Sequence, residues 1–172
     1  MKPRKLPSLE YLRECFLYDE HSGKLFWKNR PRKHFASIRE WKRWNTRYAG
    51  GEAFPETTKH GHKRGRLDGK TLLAHRVVWK VVVGSEPPDV IDHKDRDEAN
   101  NRWQNLRETT HAQNAVNRGV SGVHSQCGRW RARATLPGGK RVHIGYFGTR
   151  EEAMAARKAK NLELHGEFSP CD

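Results

Sequence analysis

The chain has 172 residues, with 34 lysines and arginines against 20 aspartates and glutamates, and a net charge of +14. It contains no run of 18 apolar residues, since the longest candidate, Val77–Val83, is broken by Lys80, so a membrane span is not expected. The cysteines at 15, 127 and 171 form no CxxC pair, which excludes a closed disulfide framework and a cysteine-based zinc finger. We therefore expect a basic cytoplasmic protein with a phosphate-rich partner.

Residues 1–58 are predicted to form a basic N-terminal extension that contacts DNA. A short helix is expected from Ser8 to Phe16, and Ser22-Gly23 then separates two strand-like pieces. Residues 29–47 interleave basic side chains with tryptophans, which fits contact with a DNA backbone and fits equally a basic helix whose tryptophans pack inward. No apolar segment follows the basic first residues, so no signal peptide is expected.

Residues 59–118 are predicted to form the next domain, beginning with a hairpin whose turn is Asp68-Gly69. The apolar spacing within Leu73–Val83 predicts a buried helix, and the β-branched run Val77–Val83 leaves a strand as the alternative. His60 and His62 are a possible metal pair, but without a nearby cysteine or second histidine pair we interpret them as loop residues. His75, on the predicted helix, is interpreted as a core or DNA-contacting histidine and not as a catalytic one.

Four residues of the same domain stand out by type and spacing: Asp92, His93, Asn105 and Asn114. They fall on a predicted order of strand, acidic loop, short strand and helix, in which Thr110 caps the helix. We expect the return from strand to helix to bring residues 92–93 and 114 face to face.

This set of side chains suits phosphodiester hydrolysis. A neutral imidazole, here His93, can deprotonate a water at physiological pH. A hard divalent cation stabilises the leaving 3′-oxygen as a Lewis acid, and the Asp92 carboxylate with the Asn114 amide oxygen suits Mg²⁺ or Mn²⁺. Asn105 is expected to hydrogen-bond backbone across the loop and hold the strand of His93 in place. We expect one divalent cation and no structural zinc.

The segment resembles the HNH nuclease family, and most closely its phage homing endonucleases. The residues that carry the resemblance are Ala74-His75-Arg76, Trp79, Ile91-Asp92-His93-Lys94, Asn100-Asn101-Arg102, Asn105-Leu106-Arg107, Gln113-Asn114 and Asn117-Arg118, with Tyr18-Asp19, Ser22-Gly23 and Phe26-Trp27 upstream. The resemblance covers roughly residues 9–118. It implies that His93 is the general base, that Asp92 and Asn114 bind the metal, and that Asn105 is the middle motif residue. The last motif position of the family is often His and here is Asn114; Asn117 and His111 are rival third positions that spacing disfavours.

Residues 119–172 are predicted to form a small DNA-binding module. Three strands end near Ser125, Leu136 and Phe147, and a helix capped by Thr149 runs to about His165. Alternation places arginines on one face of the second strand and Trp130 with two alanines and Leu136 on the other. In the third strand it places Arg141 and His143 opposite Val142, Ile144 and Tyr146. An open sheet face with arginine at alternate positions suits reading of the major groove.

This module resembles the ethylene-response-factor DNA-binding domain. The matching residues are Ser121-Gly122-Val123, Gly128-Arg129-Trp130, Ile144-Gly145-Tyr146-Phe147, Thr149 and Glu151-Glu152-Ala153. On that resemblance the DNA-facing positions are His124, Gln126, Arg129, Arg131, Arg133, Arg141 and His143. Several arginine and tryptophan positions of the family are replaced here, so its base preference is not carried over.

The sequence therefore predicts an α+β protein with a ββα-metal HNH core and a small three-stranded antiparallel sheet with one packed helix. The expected function is that of a site-specific homing endonuclease acting on double-stranded DNA in the bacterial host cytoplasm, as a monomer without an obligate protein partner. A single centre fits nicking of one strand. A DNA-binding regulator with an inactive core, and a structure-selective nuclease acting on branched DNA, remain alternatives.

Overall fold

A computed structural model describes residues 5–117 and 122–166 of the chain. The chain divides into two compact units, one ending at Arg107 and the other beginning at Glu108. Both helices and strands are present, which is consistent with the predicted α+β class. Arg118, Ser121 and Cys171, which the sequence analysis named, lie outside the described residues. Among the described residues no helix combines the length and the apolar character that a membrane crossing requires.

From residue 5 onward the first unit contains short strands and three α-helices. In chain order its elements are α1 (Leu9–Cys15), β1 (Phe16–Asp19), β2 (Lys24–Trp27), a 3₁₀ turn (Arg32–His34), α2 (Ile38–Tyr48), β3 (Glu56–Thr57), β4 (Lys63–Leu67), β5 (Lys70–Leu73), α3 (Ala74–Val83), β6 (Ile91–His93), a 3₁₀ turn (Trp103–Asn105) and β7 (Leu106–Glu108), whose last residue belongs to the second unit. Strands β1 and β2 pair, as do β6 and β7, and β3, β4 and β5 form an antiparallel sheet.

Local sequence explains where several of these elements begin and turn. Ser8 caps α1, since its hydroxyl accepts a hydrogen bond from the Tyr11 amide. The β4–β5 hairpin turns at Asp68 and Gly69, which both adopt positive φ as a type I′ turn requires. Gly84 ends α3 in the left-handed conformation.

One hydrophobic core joins the two ends of the first unit. Leu12, Cys15 and Leu25 from its beginning belong to the same buried cluster as Val77 on α3 and Leu106 on β7. Each fully buried aliphatic side chain of this kind stabilises the fold by about 1.5–3 kcal/mol. Residues assigned to the N-terminal extension and to the following domain therefore share one core, and the early elements support the strand that carries Asp92 and His93.

In its described residues the second unit contains a three-stranded antiparallel sheet and two helices. Its elements are α4 (His111–Asn117), β8 (Val123–Gln126), β9 (Arg129–Thr135), β10 (Arg141–Phe147) and α5 (Arg150–His165), with the strand order β10-β9-β8. Helix α5 packs against the central strand β9. The alternation expected in β9 is observed, because Ala132 and Ala134 are buried whereas Arg129 is exposed.

The predicted alternation of β10 holds through Ile144 and is wrong at Tyr146. The register of β10 on β9 shifts between His143 and Gly145, so a β-bulge inserts one extra residue there. Tyr146 consequently pairs with Arg131 and lies on the arginine face, where it is 47% exposed. The sequence pattern had placed it on the opposite face, because a strict period of two cannot anticipate a bulge.

Candidate functional site

Asp92 and His93 occupy the short strand β6, all of whose residues are buried. The Arg107 guanidinium on the paired strand β7 donates from Nε to Asp92 Oδ2 at 2.9 Å. Both side chains are nearly enclosed, with exposed fractions of 10% for Arg107 and 4% for Asp92. The strand pair thus holds a carboxylate in a fixed position within the fold, with a cation beside it.

The imidazole of His93 is oriented by Asn101, a residue to which the sequence analysis assigned no role. His93 Nε2 lies 3.2 Å from Asn101 Oδ1, and the Asn101 amide nitrogen donates to the Ala99 carbonyl. Since an amide oxygen only accepts, Nε2 is the donor of this pair, and the lone pair of the neutral ring is on Nδ1. Asn101 itself is buried. The pair Asn100-Asn101 is the only feature of the local sequence from which this contact with His93 could have been predicted.

Asn105 closes the loop that follows His93. Its Oδ1 accepts from the Asp95 amide at 3.1 Å, and its Nδ2 donates to Asp95 Oδ1 and to the Asn100 carbonyl at 2.8 and 2.9 Å. Its backbone carbonyl accepts from the Lys94 amide. These bonds are the bracing geometry expected of this side chain, and they place Asn105 at the base of the loop.

Hydrogen bonding also fixes the ionisation of Asp95 in that loop. Burial raises the pKa of its carboxyl, but the bonds that it accepts from Asn100, from the Asp97 amide and from Asn105 outweigh burial and lower the pKa overall. The loop therefore carries a stable negative charge, which favours cations near β6 and repels bare phosphate.

Three histidines that are distant in sequence lie together beside β6. His62 precedes β4, His75 is on α3 and His93 is on β6, and one ligand atom from each lies within 4.8 Å of the others. Of the two interpretations of His75, the core position is the one observed, since the side chain is 6% exposed. Burial, and then the neighbouring His62, His93 and Arg76, lower the pKa of His75 well below its ordinary value. His60, by contrast, is exposed.

The predicted third motif residue lies in the second unit. Asn114 is on α4, whose start is capped as expected: Thr110 Oγ1 accepts from the Gln113 amide, and Gln113 Oε1 accepts from the Thr110 amide. Of the rival positions, Asn117 is buried and His111 is exposed. Asp92 belongs to the first unit, and a cation shared between Asp92 and Asn114 stays a prediction.

The predicted DNA-facing residues share one face of the sheet in the second unit. Cross-strand pairing sets His124 opposite Arg131, Gln126 opposite Arg129 and His143 opposite Arg133. Gln126 also accepts from Arg131 and lies within 3.5 Å of the Tyr146 hydroxyl. The predicted residues that are exposed are His124, Gln126, Arg129, Arg141 and His143, whereas Arg131 and Arg133 are half-buried. Tyr146 is the residue of this face that the sequence pattern missed.

The basic segment around α2 is a helix whose two tryptophans are half-buried, and its contact with DNA stays a prediction. Arg30 is buried, pairs with Asp68 at 3.0 Å and lies over the Trp44 ring, and its carbonyl accepts from Trp41 Nε1. It therefore stabilises the fold instead of offering its charge to DNA. The cations exposed on α2 are Arg39, Lys42, Arg43 and Arg47.

Residues 72–116 match the family model described as HNH endonuclease. The match includes Asp92, His93, Asn105 and Asn114, and it excludes His62 and the three-stranded sheet of the second unit. It indicates a nuclease, and thus a hydrolase with DNA as substrate. Comparison with curated proteins gave no match, and comparison with solved structures gave none.

Proposed function

We propose that this protein is a site-specific DNA endonuclease of the homing type, which hydrolyses phosphodiester bonds in double-stranded DNA with one divalent cation. The observation that supports this most strongly is the arrangement of His93 and Asp92 on a buried strand within the matched residues. Asn101 orients the imidazole and Asn105 braces the loop beside it. We propose that β6, β7 and α4 together form the ββα-metal core.

In this proposal His93 is the general base. Because Asn101 accepts from Nε2, Nδ1 is the nitrogen that takes a proton from the attacking water. Burial of His93 keeps the ring in a single orientation, which favours transfer along one direction. Asn105 acts through the loop that it closes, and is therefore a positioning residue.

The donor chemistry of the proposed metal ligands fits a hard cation. Asp92 contributes a carboxylate and Asn114 an amide oxygen, which are ligands that Mg²⁺ and Mn²⁺ accept. Arg107 contacts Oδ2 of Asp92, and a carboxylate has about four lone-pair sites, so it can bind a cation while it keeps that ion pair. The bound cation would stabilise the charge that develops on the leaving 3′-oxygen. The products are then a 5′-phosphate and a 3′-hydroxyl.

Site selection is assigned to the arginine face of the sheet and to the exposed cations of α2. A net charge of +14 supplies attraction to phosphate that does not depend on sequence. Arginine can pair bidentately with guanine in the major groove, so the residues at 129, 131, 133 and 141 are proposed to read bases. We propose that the protein acts as a monomer and cuts one strand in each event.

A supercoiled plasmid that carries the target tests this function. With Mg²⁺ or Mn²⁺ we expect nicked circles, and none with EDTA. His93→Ala should abolish nicking yet retain DNA binding, whereas His60→Ala, which alters an exposed histidine, should cut like the wild type. Equal cutting by His93→Ala would refute the proposal.

Other outcomes point to the alternative functions. Footprinting of a specific site without any cutting in Mg²⁺ or Mn²⁺ would favour a DNA-binding regulator with an inactive core. Preference for a branched substrate over linear duplex in competition would favour a structure-selective nuclease. Linear product that appears before nicked circles would refute cutting of one strand at a time.

A further inference from the structure

The histidine cluster beside β6 has the composition of a transition-metal site. His62, His75 and His93 each present one ligand atom within 4.8 Å of the other two. Their ring centroids are separated by 4.8 Å (62 to 75), 5.6 Å (62 to 93) and 5.4 Å (75 to 93). The nitrogens of three imidazoles on one Zn²⁺ lie about 3.4 Å apart, so small rotations of these side chains would complete the site.

A second observation at His75 points to a ligand. Its side chain is 6% exposed, and its Nδ1 is buried without a hydrogen-bond partner among the described residues. A buried polar atom of this kind costs about 1–3 kcal/mol when nothing satisfies it. A metal ion accepts an imidazole lone pair and would remove that cost.

We propose that His62, His75 and His93 form a site for a divalent transition metal, Zn²⁺ above all, which inhibits the nuclease when it is occupied. Imidazole nitrogens suit Zn²⁺, Co²⁺ and Ni²⁺, whereas the oxygen ligands Asp92 and Asn114 suit Mg²⁺. The proposed Mg²⁺ site and the histidine site therefore differ in ligand type. They are neighbours in the chain, because Asp92 belongs to the first and His93 to the second.

Inhibition follows from the single lone pair of a neutral imidazole. A metal held by His93 occupies the lone pair that the general base needs for the proton of water. This consequence rests on the proposed function, whereas metal binding by the cluster does not. His62 has no assigned role in the proposed cleavage, its ring lies beside that of His93, and it is outside the residues that match the nuclease family. It is therefore the position at which metal binding and cleavage can be separated.

Binding is tested first, with the full chain and without DNA. Zn²⁺ is titrated against a chromophoric chelator, and Co²⁺ is added alone to record its visible absorption. We expect one tight site in the wild type, and in His62→Asn a loss of affinity of about tenfold or more. His60→Asn, two residues away and exposed, is the matched control and should bind like the wild type. Equal affinity of the wild type and His62→Asn would overturn the proposal.

Thermal unfolding gives a readout that does not depend on the chelator. A ligand that binds only the native state raises the midpoint, so Zn²⁺ should raise it for the wild type and for His60→Asn. The rise should be absent in His62→Asn, whose unfolding without metal also reports whether the variant folds. A rise of the same size in all three proteins would contradict the assignment to this cluster.

Cleavage in Mg²⁺ with added Zn²⁺ tests the inhibitory step. Each protein is compared with its own rate without Zn²⁺: His62→Asn should resist inhibition, whereas His60→Asn should be inhibited as the wild type is. Loss of Zn²⁺ binding in His62→Asn with unchanged inhibition would refute the inhibitory role. If neither the wild type nor either variant cuts DNA, but Zn²⁺ still binds the wild type more tightly than His62→Asn, the nuclease proposal fails and the metal site is supported.

Discussion

The hydroxyl group of Tyr18 accepts a hydrogen bond from the Trp103 amide at 2.8 Å and donates one to the Asn101 carbonyl at 3.0 Å. Tyr18 is on β1, more than 80 residues before the loop that it contacts. The contact fixes the backbone of Asn101, whose side chain orients His93. The early strands therefore help to position the proposed general base.

Removal of that hydroxyl should destabilise the first unit and loosen the loop. Tyr18→Phe leaves the Trp103 amide without its acceptor, so we expect a loss of about 1–3 kcal/mol in the free energy of unfolding, measured with urea. Tyr48→Phe, at an exposed tyrosine on α2, is the control and should change stability little. A Tyr18→Phe protein as stable as the control would contradict the bracing role.

Gly23 is required where β1 turns into β2. A Cβ at this position would lie 2.5 Å from the Arg102 amide nitrogen, and its φ of +72° disfavours any L side chain. Gly69 has a similar φ of +75°, but a Cβ there meets nothing within 4 Å among the described residues. We expect Gly69→Ala to cost about 1–2 kcal/mol from backbone conformation, and Gly23→Ala to cost clearly more. Equal losses in urea unfolding would show that the approach to Arg102 is unimportant.

Neutralisation of Asp92 should abolish metal-dependent cleavage with little change of shape. Asp92→Asn keeps an oxygen that can accept from Arg107, but it removes the charge that attracts a hard cation. We expect plasmid nicking to fall by about 100-fold or more, with partial recovery at high Mn²⁺. DNA binding in EDTA, measured in parallel, should not weaken. Cleavage at the wild-type rate by Asp92→Asn would show that Asp92 does not bind the catalytic cation.

Arg131 should matter for DNA binding more than other cations of its unit. It lies on the central strand, paired with His124 on one side and with Tyr146 on the other. Arg131→Ala should weaken binding to the target by about 1–3 kcal/mol and relax the sequence preference. The control is Lys158→Ala, at an exposed lysine on α5, the helix that packs on the sheet. Equal effects of both variants would indicate nonspecific attraction alone.

His75 should make the fold sensitive to mild acid. Its pKa in the native protein is lowered well below the ordinary value of 6.5, chiefly by burial. Below about pH 6.5 the unfolded chain therefore binds a proton that the native protein does not, and stability falls by about 1.4 kcal/mol per pH unit until the native pKa is reached.

Urea unfolding between pH 7 and pH 5, in EDTA, measures this dependence. His75→Gln should show a shallower loss of stability than the wild type, whatever its stability at pH 7. His60→Gln should retain the wild-type slope, since His60 is exposed. An unchanged slope in His75→Gln would assign the acid sensitivity to other groups.

Much of the local structure could be predicted from the sequence. Ser8 and Thr149 cap their helices, Asp68-Gly69 forms the hairpin turn, and Ala132 with Ala134 marks the buried face of β9. Each of these features depends on side chains and backbone within a few residues of one another. A short stretch of sequence is therefore enough to predict it. The spacing of Asp92, His93 and Asn105 likewise predicted the order of strand, loop and strand, whereas the roles of these residues in cleavage stay predictions.

Only the tertiary structure decided which distant residues meet. The bulge in β10 moved Tyr146 to the arginine face, and the aromatic surroundings of Arg30 withdrew its charge from the surface. The fold also brought His62 and His75 to His93 from different elements. No local pattern specifies such contacts, because they follow from how helices and strands pack around the shared core and not from the preferences of neighbouring residues.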